Sequence, residues 1–250
     1  PLNLWLPSID ICFSTIIDIT WSLKCNNFFM ARDINIHSED NHENASIYVV
    51  NQIKNLIENS NGPFSLGLSG GETPRFAYSI MSETFNNLSQ TIIWTVDDRW
   101  VEARDELSNQ NLINTYFEPT EAEVLKFDFS GDSPQLDAEI YEKKIKDKIG
   151  NFNVAILGLG QDGHIASLFP NSEATMDKES LYVANEVNIK TKWRVTATFK
   201  LLGKIDKIFI LATGKNKNDI LKSVNADNNL PINTLKKFSN NIEIVTDQII

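Results

Sequence analysis

At 250 residues with 42% apolar content, the chain can bury a full core as one α/β domain, and no linker or internal repeat divides it. A formal net charge of -10 argues against nonspecific nucleic-acid binding and against anionic membranes, and makes any cationic cluster a local exception. The two cysteines, Cys12 and Cys25, both precede Met30, so neither a disulfide scaffold nor a cysteine metal site is available beyond it, and a reducing cytoplasm fits.

Residues 1–29 scatter Trp5, Phe13, Trp21, Phe28 and Phe29 among polar residues with no persistent period. A basic start is missing, and Asp10 and Asp18 interrupt the apolar stretch, which argues against a signal peptide and a membrane span. Met30 is the first methionine, so the folded domain is expected over residues 30–250, with 1–29 an extension of uncertain order or a start-site artefact.

From Glu43 to Asn59, Ile47, Val50, Ile53, Leu56 and Ile57 recur at three- and four-residue steps and predict a helix laid on a sheet. Phe64 to Leu68 reads as a strand. Ser69-Gly-Gly-Glu-Thr-Pro74 follows, then a helical stretch through Phe76, Ala77 and Ile80. Two glycines, the Ser69 and Thr73 hydroxyls and a helix amino terminus at Pro74 suit a phosphate, with Glu72 pointing to solvent; the same residues also make an ordinary turn and cap.

Ile92 to Val96 is a third strand, running into Asp97-Asp-Arg-Trp100. A charge cluster is commonly a solvated turn, but at the end of a parallel strand Asp97 and Arg99 reach a ligand crevice. Asp105 to Phe117 reads as helical and holds Ser108-Asn109. Ser133-Pro134 caps another helix, with Leu136, Ile140, Ile145 and Ile149 facing inward.

The stretch from Asn153 to Pro170 organises the chain. Val154 to Leu157 is an apolar run too short for a helix, broken by Gly158, Gly160 and Gly163, and reads as a buried parallel strand opening into a tight turn. That turn delivers Asp162 and His164 to the carboxyl end of the strand. Of three histidines, His37 and His42 fall in a polar stretch, which leaves His164 alone in catalytic surroundings.

Further on, Trp193 to Phe199 alternates as a strand with one polar face, and Ile208 to Ala212 is a buried strand ending in Thr213-Gly-Lys-Asn-Lys217. A short helix around Ile220 and Leu221, a Leu230-Pro231 turn and a strand from Ile242 to Val245 close the order. The alternation predicts an α/β fold of Rossmann-like type: a doubly wound, mostly parallel sheet with helices on both faces.

Strand ends thus offer a phosphate-type loop, cations at Arg194 and Lys217, an Asp97–Arg99 pair and the Asp162–His164 turn. A zinc site would need carboxylates alone, an improbable set for that ion, so no metal is expected. No Gly-x-Ser-x-Gly elbow makes Ser69 or Ser167 a nucleophile. Gly158-x-Gly-x-x-Gly163 has the letters of a dinucleotide fingerprint, but His164 follows at once and no acidic ribose partner is placed. Acid–base chemistry by His164 on a small phosphorylated substrate remains.

From about Asn44 to the carboxyl end the chain resembles the 6-phosphogluconolactonases, within the group that also holds glucosamine-6-phosphate deaminases. The resemblance rests on Gly158-Leu-Gly-Gln-Asp-Gly-His-Ile-Ala-Ser-Leu-Phe-Pro170, supported by Leu68-Ser-Gly-Gly-Glu-Thr-Pro74, Asp97-Asp-Arg99, Ser108-Asn109, Trp193-Arg-Val-Thr196 and Gly214-x-x-Lys217. It implies hydrolysis of 6-phosphoglucono-lactone to 6-phosphogluconate in the oxidative pentose phosphate pathway, without a cofactor. His164 would be the general base on water, Asp162 would set its environment, Arg99 would stabilise charge on the substrate or oxyanion, and Asp97 matches the first acid of that motif. Ser69, Gly70, Gly71, Thr73, Arg194 and Lys217 match phosphate-binding positions, and the spacing to Gly214 favours Lys217 over Lys215.

Asp98 stands where the family usually has Glu, with a shorter reach to the neighbouring loop. Gln110 replaces a tyrosine, and Asn188-Ile-Lys-Thr-Lys192 replaces a Pro-rich run. The deaminases resemble one another in a Phe-Asn-Glu-Pro after His-Ile-Ala and an Asp-Glu-Tyr on the earlier strand; Ser167-Leu-Phe-Pro170 and Asp97-Asp-Arg99 favour the lactonase. A noncatalytic sugar-phosphate sensor is the further alternative, disfavoured because His164, Asp162, Arg99 and Asp97 are all present.

Overall fold

In this computed structural model the residues described are 33–189, 191–227 and 229–250. The extension expected over residues 1–29 lies outside them.

Seven parallel strands form the main sheet: β1 (Asn35–Ser38), β2 (Phe64–Leu68), β3 (Thr91–Thr95), β5 (Glu123–Leu125), β6 (Phe152–Gly158), β9 (Ile205–Leu211) and β10 (Ile242–Thr246), in the order β1-β10-β9-β6-β2-β3-β5. The central strands are short apolar runs because the sheet is covered on both sides. Along β6 the pleat sorts them: Val154 and Ile156 enter one core, Ala155 and Leu157 the other.

The first core receives α1 (His42–Glu58), α2 (Arg75–Thr84) and α3 (Asn109–Phe117). The second receives α4 (Pro134–Lys148), the short helices α5 (Phe199–Leu202), α6 (Asn218–Ser223) and α7 (Pro231–Leu235), and a second sheet. The doubly wound expectation is therefore met.

Two helical faces differ from the sequence reading. In α1 the buried stripe is Ala45, Ser46, Val49, Val50 and Ile53, while Ile47 and Leu56 are exposed. In α4 it runs through Ala138, Tyr141 and Ile145, while Leu136 and Ile140 sit together on the outside. Small residues, Ala45 and Ser46 in α1 and Ala138 in α4, and in α4 the aromatic Tyr141, share the contact stripe, which counting large aliphatic side chains overlooks.

The second sheet was not foreseen. Asp97–Arg99 is neither a turn nor an extension of β3; it is a short strand, β4, antiparallel to β8 (Trp193–Ala197), which pairs with β7 (Tyr182–Glu186). The polar face expected for Trp193 to Phe199 is not solvated, since Arg194 and Thr196 are buried under the site. Likewise the expected helix from Asp105 begins only at Asn109, where the Ser108 side chain accepts from the Asn111 N–H and stops it.

Candidate active site

The chain leaves β2 toward β3 and leaves β6 toward β9, so the strand order reverses between β2 and β6. At such a switch point the loops diverge and leave a crevice beyond the carboxyl ends. Here it is a cavity of about 520 Å³ lined by Ser69, Gly70, Gly71, Thr73, Asp97, Arg99, Asp162, His164 and Lys217. All of the sequence-predicted site residues except Arg194 line it.

The wall after β2 is the expected loop. Gly71 takes a left-handed φ of 99°, and Pro74 stands just before the first helical residue, Arg75. The Ser69 hydroxyl is buried and has no hydrogen-bond partner among the described residues, while its carbonyl accepts from Tyr78 Oη at 2.7 Å. An unpaired buried hydroxyl at a cavity wall is a donor held ready for a ligand. Glu72 turns outward, 87% exposed, and meets Arg75 Nε at 3.0 Å, so no carboxylate opposes an anion in the loop.

The opposite wall is the turn after β6. Gly160 N–H donates to the His164 carbonyl at 2.8 Å, and Gly163 takes φ 79° to complete the turn. His164 Nδ1 lies 2.5 Å from Asp162 Oδ1, which also accepts from the His164 N–H at 3.2 Å. The imidazole packs on Phe169 at 4.3 Å between centroids. A side chain at position 160 would collide with both partners, its Cβ falling 2.0 Å from His164 Nδ1 and 2.6 Å from Asp162 Oδ1. For Asp162, burial acts to raise the pKa, but the charge of His164 and the hydrogen bonds outweigh it and hold the carboxyl below its ordinary value.

The floor comes from β4. Asp97 is buried and accepts from Ser167 Oγ at 2.7 Å, while its carbonyl accepts from Asn109 Nδ2 at 2.7 Å. Arg99 donates through Nη1 to the Leu107 carbonyl at 2.7 Å and Asn109 Oδ1 at 3.1 Å, so among the described residues its other donors remain for a ligand. Asn109 thereby joins β4 to the β2 loop, where Gly70 is required because its Cβ would lie 1.7 Å from Asn109 Oδ1. Asp98, expected to reach its neighbouring loop poorly, caps α3 instead. It accepts from Ser108 Oγ at 3.0 Å, Asn109 N–H at 2.6 Å, Gln110 N–H at 2.9 Å and Arg99 N–H at 2.7 Å. Gln110 is buried in the core, bonded to Thr95, Phe127 and Asn114, and does not line the cavity.

Lys217 enters from the turn after β9 and donates to the Leu159 carbonyl at 2.6 Å. Partial burial lowers its pKa, with Asp162 acting the other way. Lys215 is exposed and outside the cavity. Arg194 stands opposite Arg99 in the β4–β8 register and donates to the Thr191 carbonyl at 2.8 Å and to the Thr191 hydroxyl. Burial and the neighbouring Arg99 push its pKa down to about 10, against Asp97 and Asp98.

Sequence reasoning missed Ser167 as a bonding partner, Phe169 as the platform for the imidazole and Asn109 as a junction. All three lay inside recognised motifs, but nothing in the pattern marked which partners their side chains would meet.

Residues 37–244 match the family of glucosamine-6-phosphate isomerases/6-phosphogluconolactonase. The chain belongs to this family. Its members include the 6-phosphogluconolactonase of Haemophilus influenzae, 32% identical over 174 residues that cover 66% of this chain and 74% of that protein. The structure of the 6-phosphogluconolactonase from Trypanosoma brucei matches with a TM-score of 0.75 at 25% identity, over 85% of this chain and 95% of that one. The crystal structure of a 6-phosphogluconolactonase from Shewanella baltica matches with a TM-score of 0.79 at 21% identity, over 87% and 98%, a likeness of fold. Within the described part of this family member, no helix is long and apolar enough to cross a membrane. No group of three or more His, Cys, Asp and Glu there is arranged to hold a metal ion.

Proposed function

We propose that this chain hydrolyses 6-phospho-D-glucono-1,5-lactone to 6-phosphogluconate, the hydrolytic step of the oxidative pentose phosphate pathway, in the cytoplasm and without a cofactor. The observation that carries the reading is one cavity with the His164–Asp162 pair on one wall and the unpaired Ser69 hydroxyl on the other, closed by Lys217.

Asp162 occupies Nδ1 of His164, which leaves Nε2 to take a proton from water. The resulting hydroxide adds to the lactone carbonyl carbon, and Arg99 stabilises the oxyanion through the donors it does not spend on Leu107 and Asn109. Collapse breaks the bond to the ring oxygen, which takes the proton back from the imidazolium and leaves as a hydroxyl. Asp97 accepts from a sugar hydroxyl and fixes the ring over the base. The phosphate is held by Ser69, the glycine loop at the amino terminus of α2, Thr73 and Lys217. Arg194 contributes from the strand position opposite Arg99.

The test is acid release from freshly made lactone with the spontaneous rate subtracted, alongside ammonia release from glucosamine-6-phosphate. Acceleration of the first and none of the second is expected; the reverse result assigns the sister activity.

A further inference from the structure

We infer that Ser167 is a positioning residue of this site, one that locks the His164 loop and the Asp97 carboxylate together on the small sheet; the inference rests on the lactonase reading above. Ser167 is only 2% exposed and meets all three strands of that sheet with three different groups. Its hydroxyl donates to Asp97 Oδ2 on β4 at 2.7 Å, and its N–H donates to Thr196 Oγ1 on β8 at 3.1 Å. Its carbonyl accepts from Asn185 Nδ2 on β7 at 2.8 Å.

The partners are themselves ordered for this. Thr196 Oγ1 donates to the Ala197 carbonyl at 3.1 Å, which turns a lone pair toward the Ser167 N–H, and Asn185 Nδ2 also reaches Ser172 Oγ at 3.1 Å. Asp97 and Thr196 are directly opposed in the antiparallel register, so one residue reaches both. No second loop residue makes such a set of contacts among those described.

The local backbone gives the anchor its consequence. Ala166 takes a left-handed φ of 49°, unusual for a residue with a Cβ, within a tight turn closed by a bridge between Ile165 and Leu168. That conformation turns Ser167 into the sheet while Ala166 and His164 line the cavity. Strain of this kind persists where surrounding bonds over-determine it, and the three bonds of Ser167 are those bonds. Ser167 is 2% exposed and does not line the cavity, so it is not placed to attack a substrate as a nucleophile.

Asp97 depends on the same contact. Asp97 is 6% exposed and lines the cavity, and among the described side chains its Oδ2 is satisfied by Ser167 alone. Without the hydroxyl, a buried charged acceptor loses its donor and turns to find another.

The experiment compares Ser167→Ala, Asp97→Ala and the double variant in lactone hydrolysis, at enzyme concentrations that keep each rate above the spontaneous one. Ser167→Cys, of similar volume and a weak donor, carries the test if the alanine variant does not fold. The expected result is a loss in kcat/KM of about tenfold or more for Ser167→Ala and Ser167→Cys, the size of a hydrogen bond to a charged group. In the Asp97→Ala background the same change adds less than about twofold, because the carboxylate being positioned is gone. A mere loss of folded protein would multiply the two losses, so multiplicative losses overturn the inference. So does a Ser167→Ala variant as active as the native chain. An inactive native chain instead overturns the lactonase reading, which separates the two failures.

Discussion

His164 Nδ1 and Asp162 Oδ1 stand 2.5 Å apart across a turn of two residues. The contact fixes which imidazole nitrogen holds its proton, and the ring face on Phe169 fixes its plane. Asp162→Asn replaces an acceptor by a group that also donates, so the wrong tautomer becomes available. We expect kcat for lactone hydrolysis to fall about ten- to a hundredfold, read from initial rates. The lowered pKa of Asp162 sets the sign with pH: the pair stabilises the fold at neutral pH, and that contribution is lost as pH falls through the lowered value, below the usual carboxylate range. With Asp162 half-exposed, the effect on stability is small.

Gly160→Ala puts a methyl group where His164 Nδ1 now lies 2.0 Å from the added carbon. The imidazole and Asp162 must both move. Because the loop is exposed on one side, folding tolerates the change better than chemistry does: kcat drops at least tenfold, since a misplaced base loses its alignment with water, while the thermal midpoint shifts by a few degrees. Native kcat would show that the turn does not fix the histidine.

In the proposed reading Lys217 anchors substrate and transition state alike, so in Lys217→Ala KM is expected to rise by about tenfold or more while kcat changes far less. Lys215→Ala, outside the cavity, leaves both constants as they are. Since burial lowers the pKa of Lys217, the grip on phosphate also weakens as pH rises toward that value, sooner than for an exposed lysine. An unchanged KM in Lys217→Ala would remove it from the phosphate site.

Asp98 carries four hydrogen bonds at the start of α3 and is fully buried. Asp98→Asn sets an amide donor against a donor that the carboxylate now accepts, costing about 1–3 kcal/mol in unfolding free energy, and it loosens the Arg99–Asn109 junction enough to lower kcat/KM. Burial raises the Asp98 pKa to about 7 against its own hydrogen bonds. The folded chain then holds a proton that the unfolded chain releases from about pH 4 upward, so this contribution to stability falls between about pH 4 and 7, opposite to the usual aspartate. Denaturant titrations of native protein and Asp98→Asn at pH 5 and pH 8 check it: the native advantage is expected to be larger at pH 5.

The loops after β2 and β6 were legible because glycine, an apolar run and polar ligands fall in strict succession there, and the central strands were legible from their burial on both faces. The small sheet was not. Asp97-Asp-Arg99 has the composition of a solvated turn, and its pairing with Trp193–Ala197 spans a long separation that no local pattern encodes. Arg194 matched a phosphate position by family resemblance, yet it donates to Thr191 and does not line the cavity. Ser167 was legible as part of the motif after His164, but its anchoring role was not, because each of its three partners lies on a different strand.

In the proposed hydrolysis His164 moves the proton. Initial rates of acid release from fresh 6-phosphoglucono-lactone, for the native chain and His164→Ala side by side and each corrected for spontaneous opening, decide this. Clear acceleration by the native chain and a loss of about a hundredfold or more in the variant are expected. A variant that keeps most of the native rate would contradict it.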